Sequence, residues 1–272
     1  MRCAFQVGAV ETLRELGIRP ALCIGVSGGV WNAAAVAAGT DHRLRWYWRS
    51  FLRMPALDLG NLLREGSPFR YNEMHRRTFD RFIGAERLVA PEALPLFVGV
   101  TRLADRAHRL FEARAVPDPL TLLLASNYLP PLYTRAPRLD GERYGDGGMS
   151  DNIPYERAFE EGCDAVVVIT MKGESEGEPY RSHRDVDHRP LPEHARRMVF
   201  LRPRHRLQVG WLEKSWDMTA QAIDLGRLRT REILLGERHP ETDARAQGMA
   251  PTRRLASLLG LGRRNGRSAP RD

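Results

Sequence analysis

The run "ALCIGVSGGVWNAAAVAAG", residues 21–39, sets a strand, a sharp turn and a helix one after another. Residues 21–26 are short, bounded and apolar on both faces, which suits a buried parallel strand, and the small-residue segment closed by Gly39 reads as a helix. Between them Gly25-Val26-Ser27-Gly28-Gly29 fits the pattern G-x-S-x-G. A strand before and a helix after are the setting a nucleophile elbow needs. In such a turn the serine backbone is strained and its neighbours must lack bulk, so Oγ stands in the open at a helix N-terminus. The same geometry leaves the Gly28 N–H free to bond a developing oxyanion. A tight turn with no chemistry is the competing reading, since small residues also serve steric needs alone.

Upstream, Phe5, Ala9, Val10, Leu13 and Leu16 fall at helical spacing over 4–16, and Gly17 with Pro20 ends the pattern. Downstream, Thr40 or Asp41 can cap a helix over 42–52, whose Trp46, Tyr47, Trp48 and Phe51 read as packing rather than as a lipid-facing surface. Further strands are predicted at 96–101, 109–113, 164–170 and 198–203, with helices near 119–126, 154–161 and 215–235. Alternating strands and helices mean an α/β fold around a mainly parallel sheet. Residues 173–197, rich in Glu, Arg, His, Pro and Gly, read as a long surface loop. One domain is expected over 1–240 and a basic tail over 241–272. Within that tail "TRRLASLLGLGRR" (252–264) reads as solvated rather than as a helix lying on an anionic membrane.

With 272 residues, 42% of them hydrophobic, the chain can bury a real core. No apolar run reaches the roughly 18 residues a membrane span needs, and "MRCAFQVGAV" lacks the features of a signal peptide, so a cytoplasmic location is expected. Cys3, Cys23 and Cys163 are an odd number without C-x-x-C spacing, which argues against a disulfide framework and a zinc site and points to small core residues. The net charge of +8 is almost wholly arginine, Lys172 and Lys214 being the only lysines. Such a surface favours anionic partners, and a peripheral contact with anionic membrane fits it. Nucleic acid is not expected, because no zinc finger, helix-turn-helix or RNA-binding aromatic motif accompanies the charge.

A serine hydroxyl is a weak nucleophile until a base takes its proton. The candidate base is Asp146 in "YGDGGMSDNIP" (144–154), where Gly147 and Gly148 let the backbone turn sharply and bring the carboxylate close to another element. Taken alone, D-G-G is a common turn. Asn32, Asn152 and Pro154 read as structural.

The two motifs together resemble the patatin-like phospholipases, which pair a serine in G-x-S-x-G with an aspartate in D-G-[GA]. Both stand here in the expected order, 119 residues apart. "VGVTRLADRAHRLFEA" (98–113), "LLASNYLPPLY" (123–133) and "LDGERYGDGGMSDNIPYERAFEEGCDAVVVI" (139–169) are similar to the family's run up to and beyond its aspartate. The resemblance covers residues 1–172 well and 198–235 loosely. It implies a three-layer sandwich with helices on both faces of the sheet. It also implies a lipid acyl hydrolase, with phospholipid or another acyl ester as substrate and no cofactor or metal. Ser27 would attack the ester carbonyl through an acyl-enzyme, and Asp146 would accept its proton and return it to the leaving alcohol. An ordinary aspartate near pKa 4 is a poor base for a hydroxyl, so Asp146 should be partly desolvated. The residues themselves give no separate sign of a cofactor, since no G-x-G-x-x-G follows a strand and no His or carboxylate pair has ligand spacing on a helix.

One departure stands out. The family's first strand and its glycine-rich loop, G-G-G-x-[RK]-G, whose amides complete the oxyanion hole, have no residues here to occupy them. Met1 falls at the loop's variable position, Arg2 at its basic position as a remnant of it, and Cys3 at its last glycine. A start site inside the loop motif is the expected explanation, and a catalytically impaired relative that binds lipid or a protein partner is the alternative. A lost oxyanion donor costs on the order of 100–1000-fold in rate, and a missing strand leaves backbone unpaired. A conventional triad using His183, His188, His194, His205 or His239 is the third possibility, though these histidines sit mostly in charged, Pro-rich loop sequence. Pocket walls are expected from segments such as 50–95.

Overall fold

A computed structural model describes residues 1–130, 132–133, 136–180, 188–210 and 213–239, with Arg64 and Glu65 described by backbone alone. The expected tail over 241–272 and His183 lie outside the described residues.

Helix α1 (Ala4–Glu15) ends at Gly17, whose φ of +73° is the left-handed stop expected there. Strand β1 (Cys23–Val26) turns through Ser27–Gly29 into α2 (Val30–Ala37). Helix α3 (Leu44–Arg53) follows without a side-chain cap: Thr40 instead donates to the Ala35 carbonyl and Asp41 pairs with Arg14. Tyr47, Trp48 and Phe51 pack inward as expected, whereas Trp46 is 60% exposed. Next come α4 (Leu59–Glu65), α5 (Tyr71–Phe82), α6 (Ala85–Val89), β2 (Leu96–Arg102), β3 (His108–Glu112) and α7 (Pro119–Ser126). Asp118 caps α7 through the Leu120 N–H, and Pro119 opens it. The chain continues through β4 (Arg138–Leu139), β5 (Glu142–Asp146), α8 (Glu156–Glu160), β6 (Val166–Ile169), α9 (Pro192–Ala195), β7 (Met198–Leu201) and α10 (Trp216–Leu235).

The α/β expectation holds, and helices pack about the sheets in keeping with a three-layer arrangement, but the main sheet is mixed rather than mainly parallel. β1 runs parallel to β2, while β3 and β5 run antiparallel to it and β4 antiparallel to β5. The connections dictate this. Residues 103–107 are too few for the crossover that parallel neighbours need, so β2 and β3 form a hairpin. The β4–β5 link is Asp140-Gly141 with φ of +49° and +81°, the two left-handed residues of a type I′ turn. β6 and β7 form a separate parallel pair.

The registers fix where the chemistry lies. β3 occupies one edge of β2 along residues 97–101, so β1 and β5 share the opposite edge. β1 ends with Val26 beside Gly99, and β5, arriving from the other direction, ends with Asp146 beside Val100. The two strands meet end to end, each delivering its last residues to one point.

The main core is built on Trp31, Tyr47, Phe51, Phe79, Leu96 and the buried face of α7, and a smaller one joins Ile153, Tyr155, Val168 and Met198 under β6 and β7. Cys23 lies in the core as expected, whereas Cys3 and Cys163 are half-buried; all three thiols are free. α10 crosses α1 where both lack side chains: a Cβ on Gly8 would lie 1.8 Å from the Ile223 carbonyl oxygen, and one on Gly226 would lie 2.0 Å from that of Phe5. No helix among the described residues is long and apolar enough to cross a membrane.

Candidate active site

Ser27 has φ of +54°, a left-handed conformation that a non-glycine residue adopts only under constraint. The constraint is visible. The Ser27 N–H donates to Ser126 Oγ (2.9 Å), and Ser126 Oγ donates in turn to the Gly99 carbonyl (2.7 Å), tying the elbow to α7 and β2. Around it Gly25 lies under α2, where a Cβ would stand 2.8 Å from Val30 Cα, and Gly29 lies against the Gln6 amide.

The Ser27 hydroxyl donates to Asp146 Oδ2 at 2.5 Å. The other carboxylate oxygen, Oδ1, accepts the Gly148 N–H at 2.8 Å, and the Asp146 carbonyl accepts from Thr101 Oγ1 at 2.7 Å. Asp146 is 9% exposed, so its carboxylate is largely removed from water, as the sequence led us to expect. Gly147 is the residue that permits the approach, because a Cβ there would lie 2.2 Å from the Gly99 carbonyl oxygen.

The N-terminal turn of α1 closes the site from above. Cys3 Sγ sits where a Cβ on Gly28 would approach it to 2.6 Å, and burial pushes the thiol up to about 11, so it is present as the neutral SH. Arg2 lines the same space, with Nε buried and without a hydrogen-bond partner among the described residues. Asn32 serves structure: its amide donates to the Cys3 carbonyl and to Gln6 Oε1, and its oxygen accepts from Trp48 Nε1, each at 2.9 Å. Asn152 is likewise structural, donating to the Pro179 carbonyl.

Ser27 and Asp146 open on a cavity of about 1680 Å³, larger than the few hundred to roughly 1000 Å³ usual for a small-ligand pocket because it joins two regions. One is an aromatic wall of Trp31, Trp48, Phe51, Tyr71, His75 and Tyr133. Tyr71 and His75 bear out the expectation that segment 50–95 contributes walls, but residues from α2 and from the stretch after α7 do so equally. The other region is the gap between β1 and β6. Cys23 N donates to Pro95 O and Val166 N to Arg197 O, so alternation along each strand turns Ile24 and Val26, and Val167 and Ile169, away from their partners. These four residues line the cavity, where Gln6 Nε2 donates to the Ile169 carbonyl at 2.9 Å.

His75 is not among the histidines the sequence points to, yet it is the histidine of the aromatic wall among the described residues. It stacks on Trp31 with ring centroids 4.1 Å apart, and its nitrogens meet Tyr47 Oη (3.2 Å), Tyr133 Oη (3.2 Å) and Asn127 Nδ2 (3.3 Å). Burial lowers it to about 3, so the ring is neutral. Of the histidines weighed as triad members, His188 lies against Asp151, His194 stacks on Phe159 and His239 lies against Glu237. The residue that meets the Ser27 hydroxyl is Asp146. No group of three or more metal-binding side chains occurs among the described residues.

Ser126, which holds the elbow, lies within the family-like run 123–133, and the sequence assigns it no role. Its hydroxyl next to Asn127 is an ordinary helix-end pair in sequence, and no local signal marks it.

The sequence profile described as patatin-like phospholipase matches residues 1–159. No curated protein matches the chain. Among solved structures, the crystal structure of VipD from Legionella pneumophila is similar, with a TM-score of 0.50 and 13% identity, over 86% of this chain and 65% of that one. At that identity the likeness speaks to fold alone, and the chain spans 65% of that structure's length.

Proposed function

Because the chain belongs to the patatin-like phospholipase family, we propose that it is a lipid acyl hydrolase with Ser27 as nucleophile and Asp146 as proton acceptor. The observation that carries the reading is the 2.5 Å hydrogen bond between a strained serine and a desolvated carboxylate. Ser27 Oγ attacks the ester carbonyl while its proton passes to Asp146 Oδ2. The tetrahedral oxyanion takes the Gly28 N–H, with Arg2 flanking it. Collapse breaks the bond to the alcohol, which leaves with the proton from Asp146. Water then attacks the acyl-enzyme, giving its proton to Asp146, and the fatty acid departs as Ser27 is reprotonated. The substrate class is phospholipid, lysophospholipid or another acyl ester, for whose acyl chain the aromatic wall offers an apolar surface, in lipid catabolism at a cytoplasmic membrane surface.

The test is release of fatty acid from phospholipid together with fluorophosphonate labelling. Ser27→Ala and Asp146→Asn should each lose on the order of 1000-fold or more in turnover with the fold intact. Retained turnover in Asp146→Asn would exclude the dyad. A second reading, a catalytically weak relative that holds lipid or a protein partner, is favoured by Cys3, whose sulfur crowds the Gly28 side where further amide donors would be needed. An unlabelled Ser27 in folded protein would decide for it.

A further inference from the structure

The segment between α3 and α5 inverts the usual order of inside and outside. Leu57, Leu59, Leu62 and Leu63 are 61%, 81%, 49% and 92% exposed, while Asn61 and Ser67 in the same segment are 8% and 5% exposed. Scattered surface leucines need no explanation; four within seven residues do.

The arrangement is built. Asn61 Nδ2 donates to the carbonyls of Ser67 and Phe69 at 2.9 Å each, filling the inside of the loop with polar bonds. Its base is closed by a bridge between Leu57 and Phe69, with Asp58 N bonded to Pro68 O and Arg70 N to Ala56 O. Asp58 Oδ1 caps α4 through the Gly60 N–H, and Gly66, at φ of +77°, ends it. Every polar device holds the leucines outward.

The loop is rooted on the aromatic wall. It leaves α3 two residues after Phe51 and rejoins the chain at Tyr71, and these two rings face each other at 6.1 Å and line the cavity that leads to Ser27. Basic groups flank its start: Arg53 is exposed with no acidic partner among the described residues, and Lys214 Nζ donates to the Met54 carbonyl at 2.7 Å. The chain as a whole carries a net charge of +8.

We infer that this leucine loop is a docking surface for an anionic lipid bilayer, its leucines entering the acyl boundary while flanking cations meet the headgroups. This rests on the acyl hydrolase reading, and it deepens that reading by setting against the membrane a loop whose two ends are rooted on the aromatic wall of the cavity.

The test measures flotation of the full chain with vesicles of mixed phosphatidylcholine and phosphatidylglycerol. The Leu59→Gln/Leu63→Gln double variant keeps helix propensity, since Gln and Leu rank closely in helices. It should lose vesicle binding by about tenfold or more and keep its turnover of a soluble short-chain ester. Leu191→Gln/Leu235→Gln, which removes exposed leucines elsewhere, should bind like the parent. Ser27→Ala should also bind like the parent, so a failure of the catalytic reading leaves the docking result separately readable. Undiminished binding by the Leu59/Leu63 variant, absence of binding by the parent, or a parent dimer that this variant dissociates would each overturn the proposal.

Discussion

Ser27 owes its conformation to Ser126. A left-handed non-glycine backbone costs about 1–3 kcal/mol and persists only when its surroundings over-determine it. Here the Ser27 N–H is held by a hydroxyl that is itself anchored to the Gly99 carbonyl. Ser126→Ala removes both bonds, each worth about 1 kcal/mol. Ester turnover should fall about tenfold with little change in KM or in the circular dichroism spectrum, as measured by steady-state kinetics on a soluble ester.

His75 makes a second prediction at this scale. Its ring and hydrogen-bond partners among the described residues are Trp31, Phe51, Tyr47, Tyr133 and Asn127, none of them a carboxylate, and burial raises both tyrosines so that they stay protonated. The folded ring binds a proton only near pH 3, whereas the unfolded ring binds one near 6.5. Between those values the unfolded state carries the extra proton, so stability falls as pH falls, by up to about 1.4 kcal/mol per pH unit. Urea titrations at a series of pH values should show this slope, and His75→Gln should flatten it.

Among the elements, the meeting of α1 and α10 is the tightest. With Gly8 and Gly226 the helices approach until backbone touches backbone, and a side chain has nowhere to go. Gly226→Val should therefore push the helices apart and cost about 1–3 kcal/mol, read as a lower thermal midpoint. The prediction concerns the site as well, because α1 carries Arg2 and Cys3 over Gly28, and turnover should fall with stability. The helices over 4–16, 119–126 and 215–235 were legible because their apolar spacing, caps and glycine stops are local. β5, which carries Asp146, is not among the strands the sequence predicts. "ERYGD" has too few apolar residues to show alternation, and its signal is instead the neighbouring Asp140-Gly141 as a type I′ turn. α5 is equally hard to read from the sequence: its inward residues Tyr71, Met74, His75, Thr78 and Phe79 include polar ones that dilute the periodicity.

At the scale of the whole molecule, Arg229 ties α10 to the segments that follow β6 and β7. Only 7% exposed, it donates to the Arg202 carbonyl (3.0 Å) and to Glu232 (2.7 Å), and it pairs with Glu174. Arg229→Ala leaves buried acid with less compensation and should destabilise by about 3 kcal/mol, seen in the denaturant midpoint; lysine, a point charge without the planar fork, should not rescue it.

The motifs around Ser27 and Asp146, the strand-turn-helix order and the α/β class were all present in the one-dimensional text, because each depends on residues within a few positions of one another. Nothing in that text said that β1 and β5 would abut on one edge of β2, that the sheet would be mixed, or that Ser126 would hold the elbow and His75 line the pocket. Those are pairings across 27 to 119 residues, set by strand register and by which surfaces fit together once the chain has collapsed. Spacing along a chain records local conformation; only packing decides which distant groups come to share a proton.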